Sequence, residues 1–466
     1  RDDGAGSGAR QVGGKGGEIA FSATGGLYLD GLMRAAAGTA DVAGGALSLK
    51  LETPLYATGT AQALVRPREL VISQSADPSQ LPADAMPATA SLTYGLGRIG
   101  ADQIAAGGFG DVSLYARDLL TFDGDVTLQA RQSISLYQGA LGNTQAGANV
   151  RIVAPYVLLS GRTNLSPAII QDVNATLNAW TPSALPAAAS LQVEAHHIDV
   201  RNRVNAGMSG VVQLGAGTQM AIERRGYDSL SLRSQGDVRF LQANVGSEMP
   251  IGGQTESSGL LSAGDVRLAG QRIYPATNAK GLVIAGWRGT GKPYDDSRAI
   301  RIEGMAGSLA ATAPLSAFGS LTLNAPNVEQ GGTLYAPLGR IGMGIATDGV
   351  NRQVRLLPGS LTSVSAAGLT IPYGGTIDGL SYLYQGAAVQ SVGVGGMDAF
   401  RLVRGISLLG GAVAVEPGAV IDLSGGGTLA GAGFVSGRGG STDPLFHPLP
   451  RIDPVTGRFD LPTLAE

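Results

Sequence analysis

One loop of the sequence gathers residue types that could bind a ligand. The segment AGWRGTGKPYDDSR spans residues 285–298. Its aromatic, basic and acidic side chains are Trp287, Arg288, Tyr294, Asp295 and Asp296. Aromatic rings beside a guanidinium can bind a sugar or a protein partner, because they combine apolar contact area with directed hydrogen bonds. We predict that these five residues lie on an exposed loop and form a candidate ligand-binding site.

The same loop matches the Gly-x4-Gly-Lys spacing of a phosphate-binding loop, from Gly286 to Lys292. That motif needs Ser or Thr after the lysine to hold magnesium, and here Pro293 follows. No strand-then-helix pattern surrounds the segment. The sequence therefore does not predict nucleotide binding.

Clustered carboxylates would be needed if the chain were a polysaccharide-cleaving enzyme, either to bind calcium or to act as general acid and base. Asp2-Asp3 and Asp295-Asp296 are the only adjacent acid pairs. Neither pair is flanked by a motif of such enzymes, and a solvated loop explains both. We predict that the chain is not an enzyme.

Histidine and cysteine offer little further chemistry. His196 and His197 form the only histidine pair, and the third histidine is His447. Neighbouring residues on a strand point to opposite faces, so the pair is not suited to chelating one metal ion. We predict that both lie on a strand surface or at a corner. The chain has no cysteine, and we predict no metal ion and no cofactor.

Short strands that begin with glycine must position these residues. The phrase Gly-Asp-Val opens four segments: GDVSLYA (110–116), GDVTLQA (124–130), GDVRFLQ (236–242) and GDVRLAG (264–270). In the second segment, Val126, Leu128 and Ala130 share one face of a strand. Asp125, Thr127 and Gln129 share the other. We expect the apolar face to enter a core and the polar face to point outward.

Composition limits the possible classes. Among 466 residues there are 72 glycines, 44% are apolar, only 5% are aromatic and the net charge is −3. No basic stripe is present, so nucleic-acid binding is not predicted. No apolar run is long enough for a membrane-spanning helix. The chain has the material for a core of small and branched aliphatic side chains, interrupted by many turns.

Three strands within about twenty residues recur along the chain, as in GSLTLNAPNVEQGGTLYAPLGRIGMG (319–344). Single Gly, Gly-Gly and Ala-Pro-Asn corners separate them. This texture predicts an all-β fold, a right-handed parallel β-helix with three short strands per coil and roughly eighteen coils. An array of β-sandwiches, which would favour Asn-Gly or Asp-Gly hairpin turns, is the alternative.

We assign residues 1–440 to the rod and residues 441–466 to a proline-rich tail or cap. Loops or short helices are predicted to leave the rod at about 66–90, 164–188, 243–262 and 285–298. In the second of these, Ser166 could cap a short helix with Pro167 at its first position.

Three longer phrases resemble filamentous-haemagglutinin-like exoproteins of Gram-negative bacteria, which use two-partner secretion. LTLNAPNVEQGGTLYAPLGRI (321–341) is similar to their β-helical repeats. PGSLTSVSAAGLTIPYGGTIDGLSY (358–382) and AVIDLSGGGTLAGAGFVSGRGGSTD (419–443) resemble a module from the C-terminal side of some members. The Asn-Pro-Asn motifs of the family's secretion domain and an Arg-Gly-Asp triplet are not present.

The resemblance implies a secreted or cell-surface rod that contributes to adhesion. It implies an outer-membrane transporter as the partner of the parent protein. We therefore expect a structural or adhesive exoprotein in an extracellular fibre, with an unnamed receptor or glycan as ligand and possible self-association into fibres. The alternatives are a polysaccharide-binding or polysaccharide-cleaving β-helix, and a passive shaft that presents a toxin or tip domain.

Overall fold

The computed structural model describes most of the chain. The described residues are 13–39, 41–52, 68–76, 95–161, 180–186, 188–215, 218–243, 257–289, 291–305, 312–345, 352–377, 381–384, 387–388, 404–434, 451–452 and 459–460.

The first described elements run in chain order to residue 161. They are β1 (Glu18–Ala23), β2 (Gly26–Tyr28), β3 (Ala46–Leu51), β4 (Glu69–Ser73), β5 (Leu96–Gly100), α1 (Ala101–Ala106), β6 (Asp111–Ala116), β7 (Leu119–Asp123), β8 (Val126–Gln129), β9 (Ser133–Gln138), β10 (Ala140–Asn143), β11 (Asn149–Val153) and β12 (Tyr156–Gly161).

Further strands continue to residue 304. They are β13 (Trp180–Pro182), β14 (Ser190–Ala195), β15 (His197–Arg201), β16 (Arg203–Gly215), β17 (Thr218–Arg225), β18 (Ser229–Ser234), β19 (Asp237–Phe240), β20 (Ser258–Leu261), β21 (Asp265–Gly270), β22 (Arg272–Pro275), β23 (Lys280–Ile284) and β24 (Ala299–Gly304).

The last described strands follow a longer connection. They are β25 (Ser320–Asn324), β26 (Asn327–Gly331), β27 (Thr333–Tyr335), β28 (Arg340–Gly344), β29 (Gln353–Leu356), β30 (Leu361–Ser363), β31 (Thr370–Ile377), β32 (Ser381–Tyr384), β33 (Ala387–Ala388), β34 (Gly405–Leu409), β35 (Ala412–Val415), β36 (Val420–Asp422), β37 (Thr428–Phe434), β38 (Arg451–Ile452) and β39 (Phe459–Asp460).

Three parallel sheets contain most of these strands. Sheet A has the order β1-β3-β6-β9-β12-β15-β19-β22-β27-β30-β36. Sheet B has the order β2-β5-β4-β7-β10-β16-β20-β23-β25-β28-β34, and β13 and β17 also pair with β16. Sheet C has the order β35-β29-β26-β24-β21-β18-β14-β11-β8. From β6 onward the chain mostly passes through sheets A, B and C in that order, whereas β1 to β5 contribute only to sheets A and B and β5 lies between β2 and β4. The predicted right-handed parallel β-helix with three strands per coil is confirmed.

Period-two alternation explains the core. Val126 and Leu128 are buried, whereas Asp125 and Gln129 are exposed, as their positions in GDVTLQA predict. Inward residues stack in register from coil to coil. One such column in sheet A consists of Leu49, Leu114, Leu136 and Leu159, all 0% exposed. Each leucine therefore packs mainly between its equivalents in the coils before and after it.

The aspartate of each Gly-Asp-Val phrase links its coil to the next one. Asp125 Oδ1 accepts the backbone N–H of Asn149 at 2.7 Å, and Asp265 Oδ1 accepts that of Ala299 at 2.8 Å. Ser133 Oγ donates to Asp111 Oδ1 at 2.6 Å. Arg272 Nε donates to Asp237 Oδ1 at 2.8 Å. The acid that the sequence places on the outward face is thus a repeated tie between coils.

Two Pro-Gly corners stack at the transition from sheet C to sheet A. Gly359 and Gly418 have φ of 79° and 89°, which suits glycine at the third position of a type II turn after proline. Gly359 N donates to Gly418 O at 3.0 Å. After each corner comes a three-residue strand of sheet A, then a strand that leaves the rod. These outer strands, β31 and β37, pair in parallel.

The first strand of sheet C is covered on its free side. The helix α1 packs beside β8. Gln74 Oε1 accepts the backbone N–H of Thr127 in β8 at 2.7 Å. An open strand edge can pair with another chain, and these contacts occupy part of this one.

The opposite end of the core is open among the described residues. β34, β35 and β36 are the last strands of their sheets. Val413 and Val415 are 48% and 50% exposed, whereas Val354 and Leu356, their register partners in the preceding coil, are 0% exposed. The stacked column therefore ends on apolar side chains that contact solvent.

Several predicted boundaries differ in detail from the structure. Within the excursion at 66–90, β4 belongs to the rod and buries Leu70 and Ile72 completely. Sheet A holds eleven strands among the described residues, fewer than the roughly eighteen coils predicted, because connections between strands use more chain than expected. At about 4.8 Å per strand this sheet is about 50 Å long.

The other excursions are described only in part. The described residues of 285–298, which are 285–289 and 291–298, lie between β23 and β24. The helix expected from Ser166, most of 243–262 and most of the tail at 441–466 lie outside the described residues. β16 and β17 form an antiparallel hairpin on sheet B that the sequence analysis did not predict.

Candidate functional site

The predicted ligand loop is anchored by its own backbone at the corner after β23. Trp287 N donates to Ser262 O in the preceding coil at 3.1 Å, and Asp295 N donates to Gly286 O at 2.8 Å. The second bond closes the loop at its base. Trp287 and Tyr294 are half-buried and Arg288 is exposed. Burial raises the pKa of the Tyr294 hydroxyl.

Both carboxylates of this loop are engaged in structural contacts. Asp295 Oδ1 accepts the Ser297 hydroxyl at 2.7 Å, the main reason why the pKa of this carboxyl is lowered. Arg352, whose side chain is 7% exposed, donates from Nε to Asp296 Oδ1 at 2.9 Å. The loop brings the five predicted residues together, and the contact between Asp296 and Arg352 joins it to the rod. Its aromatic and basic side chains remain for a ligand.

A denser polar cluster, which sequence reasoning missed, lies on the outer face of sheet A. The strand HIDVR (β15) points His197, Asp199 and Arg201 outward at alternate positions. Tyr156 in β12 and Arg239 in β19 flank Asp199 in the neighbouring coils. We call these five residues the HIDVR face.

Asp199 is the centre of the HIDVR face and is only 2% exposed. Its carboxylate accepts Tyr156 Oη at 2.9 Å and His197 Nε2 at 3.1 Å. Arg239 donates to it from Nε and Nη2, both at 2.9 Å. Burial by itself would raise the pKa of this carboxyl, but the hydrogen bonds from His197 and Arg239 outweigh it and lower the pKa to about 2.

The ring of Tyr156 lies parallel to the His197 imidazole, with centroids 6.2 Å apart and planes 12° apart. Burial and the nearby Asp199 charge raise the pKa of the Tyr156 hydroxyl. The phenol is therefore a neutral donor at ordinary pH. With four donors on Asp199, that carboxylate has no role left as a free base.

A second acid–base pair follows one coil later. Arg272 donates to Asp237 from Nε at 2.8 Å and from Nη2 at 2.7 Å, and Tyr274 Oη donates to the same carboxylate at 3.1 Å. The Arg272 guanidinium also lies 5.8 Å from the centroid of the Tyr274 ring. Outward aspartate and arginine thus pair between successive coils along sheet A.

No protein-family model, curated protein or solved structure matches this chain. The site must therefore be interpreted from its own geometry.

The two histidines lie where the sequence predicts. His196 is exposed at the corner before β15, and His197 is the first residue of that strand. Within the described ranges no three histidine or acidic side chains are grouped to hold a metal ion. No described helix is long and apolar enough to cross a membrane.

One small cavity lies beside β5, lined by residues that include Leu29, Val71 and Arg98. Its volume of 10 Å³ is about the minimum for one water molecule. A surface face therefore remains the better candidate site than this cavity.

A signal for the HIDVR face was present in the sequence. Polar residues at alternate positions of a strand share its outward face, and HIDVR has three of them in succession. The partners of Asp199 could not be identified, because Tyr156 and Arg239 lie 43 and 40 residues away along the chain.

The free energy of unfolding of Asp199→Asn is expected to fall less steeply with decreasing pH than that of the unaltered chain. The folded-state pKa of Asp199 is about 2, below its ordinary value of 3.8. The carboxylate therefore stabilises the fold above about pH 4, and that contribution of about 2 kcal/mol is lost as pH falls towards 2. Urea unfolding between pH 2 and pH 6 should show a shallower slope for the variant. Glu303→Gln, at an exposed pair with Arg267, is the control. An unchanged slope in Asp199→Asn would contradict this assignment.

Proposed function

We propose that the chain is a segment of a secreted structural and adhesive exoprotein that forms part of an extracellular or surface fibre in a Gram-negative bacterium. The observation that supports this proposal best is the continuous core of the β-helix. Its inward side chains stack through successive coils, and backbone hydrogen bonds join every coil to the next. Such a stack makes a long, stiff element whose length grows with each added coil.

The repeated aspartate ties support a mechanical role. In each of the four Gly-Asp-Val phrases the carboxylate bonds to the strand directly above it. These contacts lie along the rod axis and resist separation of coils. Among the described residues the stack ends on the exposed side chains of Val413 and Val415. A further coil can stack on such an apolar surface, so self-association into fibres is part of the proposal.

The resemblance to filamentous-haemagglutinin-like exoproteins supplies the cellular setting of the proposal. In that setting the parent protein crosses the outer membrane through a dedicated two-partner transporter, and this segment is displayed outside the cell. The adhesive ligand is a receptor or glycan on another surface. No enzymatic activity is proposed, because the carboxylates of both candidate sites are engaged with arginine, serine or tyrosine partners.

Three measurements on the purified chain test this proposal. Small-angle scattering should give the profile of a rod, and the labelled chain should bind to cell surfaces or to immobilised glycans. Incubation with a panel of acidic polysaccharides should release no new reducing or unsaturated ends. A rod that binds nothing would favour the passive shaft. Turnover of any polysaccharide would favour the enzyme and overturn the proposal.

A further inference from the structure

Arg201 differs from the other outward arginines in the described part of sheet A in its register partner in the preceding coil. Arg239 is in register with Asp199, and Arg272 is in register with Asp237. Each of these acids holds its arginine through two hydrogen bonds. The register partner of Arg201 is Ser160. The preceding coil therefore provides an aspartate in register with Arg239 and with Arg272, but none in register with Arg201.

The guanidinium of Arg201 is also incompletely hydrogen-bonded. Its Nε atom is buried and has no hydrogen-bond partner among the described residues, while the residue as a whole is half-buried. A buried donor without a partner costs free energy, and in native proteins a water molecule or an ion commonly satisfies such a group. Within the described part of the chain, Arg201 thus has no acid in register in the preceding coil and no hydrogen-bond partner for Nε.

The residues around Arg201 suit a ligand that carries a planar anionic group, such as a carboxylate, on a sugar ring. Arg201 lies on the same face of β15 as His197 and Asp199, and Asp199 accepts the hydroxyl of Tyr156 from the preceding coil. His197 stacks on Tyr156 and is 31% exposed. A guanidinium binds a carboxylate through two parallel hydrogen bonds, and stacked rings provide a flat surface for the apolar face of a sugar.

We infer that Arg201 binds the carboxylate of a uronic acid residue in an acidic polysaccharide, with His197 and Tyr156 against the sugar ring. The negative charge of Asp199 does not repel the ligand, since Arg239, His197 and Tyr156 already surround its carboxylate. The inference rests on the proposed adhesive function and gives that function a ligand class and a site.

Polygalacturonate is the probe, and its binding to the full chain can be measured by isothermal titration calorimetry. Arg201→Gln removes both the positive charge and the paired N–H donors of the guanidinium. It should weaken binding about tenfold or more, because hydrogen bonds to charged groups are stronger than those between neutral groups. Arg201→Lys keeps the positive charge but lacks the paired N–H donors, and it should weaken binding by a smaller factor. Arg151→Gln removes an exposed arginine from sheet C and should leave binding unchanged.

Dextran and dextran sulfate separate specific recognition from charge attraction. Neutral dextran should not bind, and dextran sulfate should bind without a dependence on Arg201 beyond that on Arg151. Equal losses in Arg201→Gln and Arg151→Gln, or no polygalacturonate binding by the unaltered chain, would overturn the inference. The adhesive proposal would survive either result if the chain still bound to cells. Circular dichroism and an unchanged unfolding midpoint establish that each variant is folded, and Arg201→Lys serves if Arg201→Gln is not.

Discussion

Asp118→Ala is expected to lower the free energy of unfolding by about 3–5 kcal/mol, the largest effect of any single change considered for this chain. Arg68 and Asp118 are 1% and 2% exposed. Asp118 accepts Arg68 Nε at 2.7 Å, Nη2 at 2.8 Å and the backbone N–H at 2.9 Å. Removing the carboxylate leaves a buried guanidinium without its counter-charge. The midpoint of urea unfolding measures the loss.

Replacing both partners tests whether the pair itself is stabilising. In Arg68→Met with Asp118→Leu neither charge of this pair remains, and the double variant should recover most of the stability lost in Asp118→Ala. Glu303→Ala at the exposed pair with Arg267 should cost less than about 1 kcal/mol. If Asp118→Ala were no more damaging than Glu303→Ala, the buried pair would not be important for stability.

Leu136→Ala is expected to cost about 2–5 kcal/mol, because the cavity left in a stacked core cannot close without shifting the coils on both sides. Leu136 is 0% exposed and lies in register between Leu114 and Leu159. The unfolding midpoint should fall without a change in the denaturant slope.

The position of a leucine in the stack, rather than its size, should decide this cost. Leu423→Ala removes the same atoms from a side chain that is 48% exposed and should cost less than about 1 kcal/mol. Leu114→Ala combined with Leu136→Ala should deviate from the sum of the two single effects, since the two residues are in contact. Additive and equally small effects would contradict a dry, stacked core.

The strands were predictable because their signal is local. Apolar residues at every second position, in runs of four to six closed by glycine or proline corners, specify short strands with one buried face. The outward direction of Asp125 and the inward direction of Leu128 follow from that alternation and are confirmed. The sequence predicts an excursion at 285–298 because that segment breaks the same period.

The candidate site was only partly predictable. The sequence identified Trp287 and its neighbours by residue type, and the structure places them in one loop. It could not indicate that Asp296 would be paired with Arg352, 56 residues further along the chain. The HIDVR face was missed for the same reason, since its character depends on Tyr156 and Arg239 from neighbouring coils.

The amino-acid pattern by itself determined the repeat: short strands, glycine corners, an aliphatic core and therefore a parallel β-helix. Tertiary structure decided which residues of successive coils are in register, because the connections between strands differ in length and no local period encodes that alignment. The register between adjacent coils places Asp199 opposite Arg239 and Ser160 opposite Arg201. One arginine is thereby neutralised and the other left with an unused donor, and this physical difference separates a structural contact from a candidate binding site.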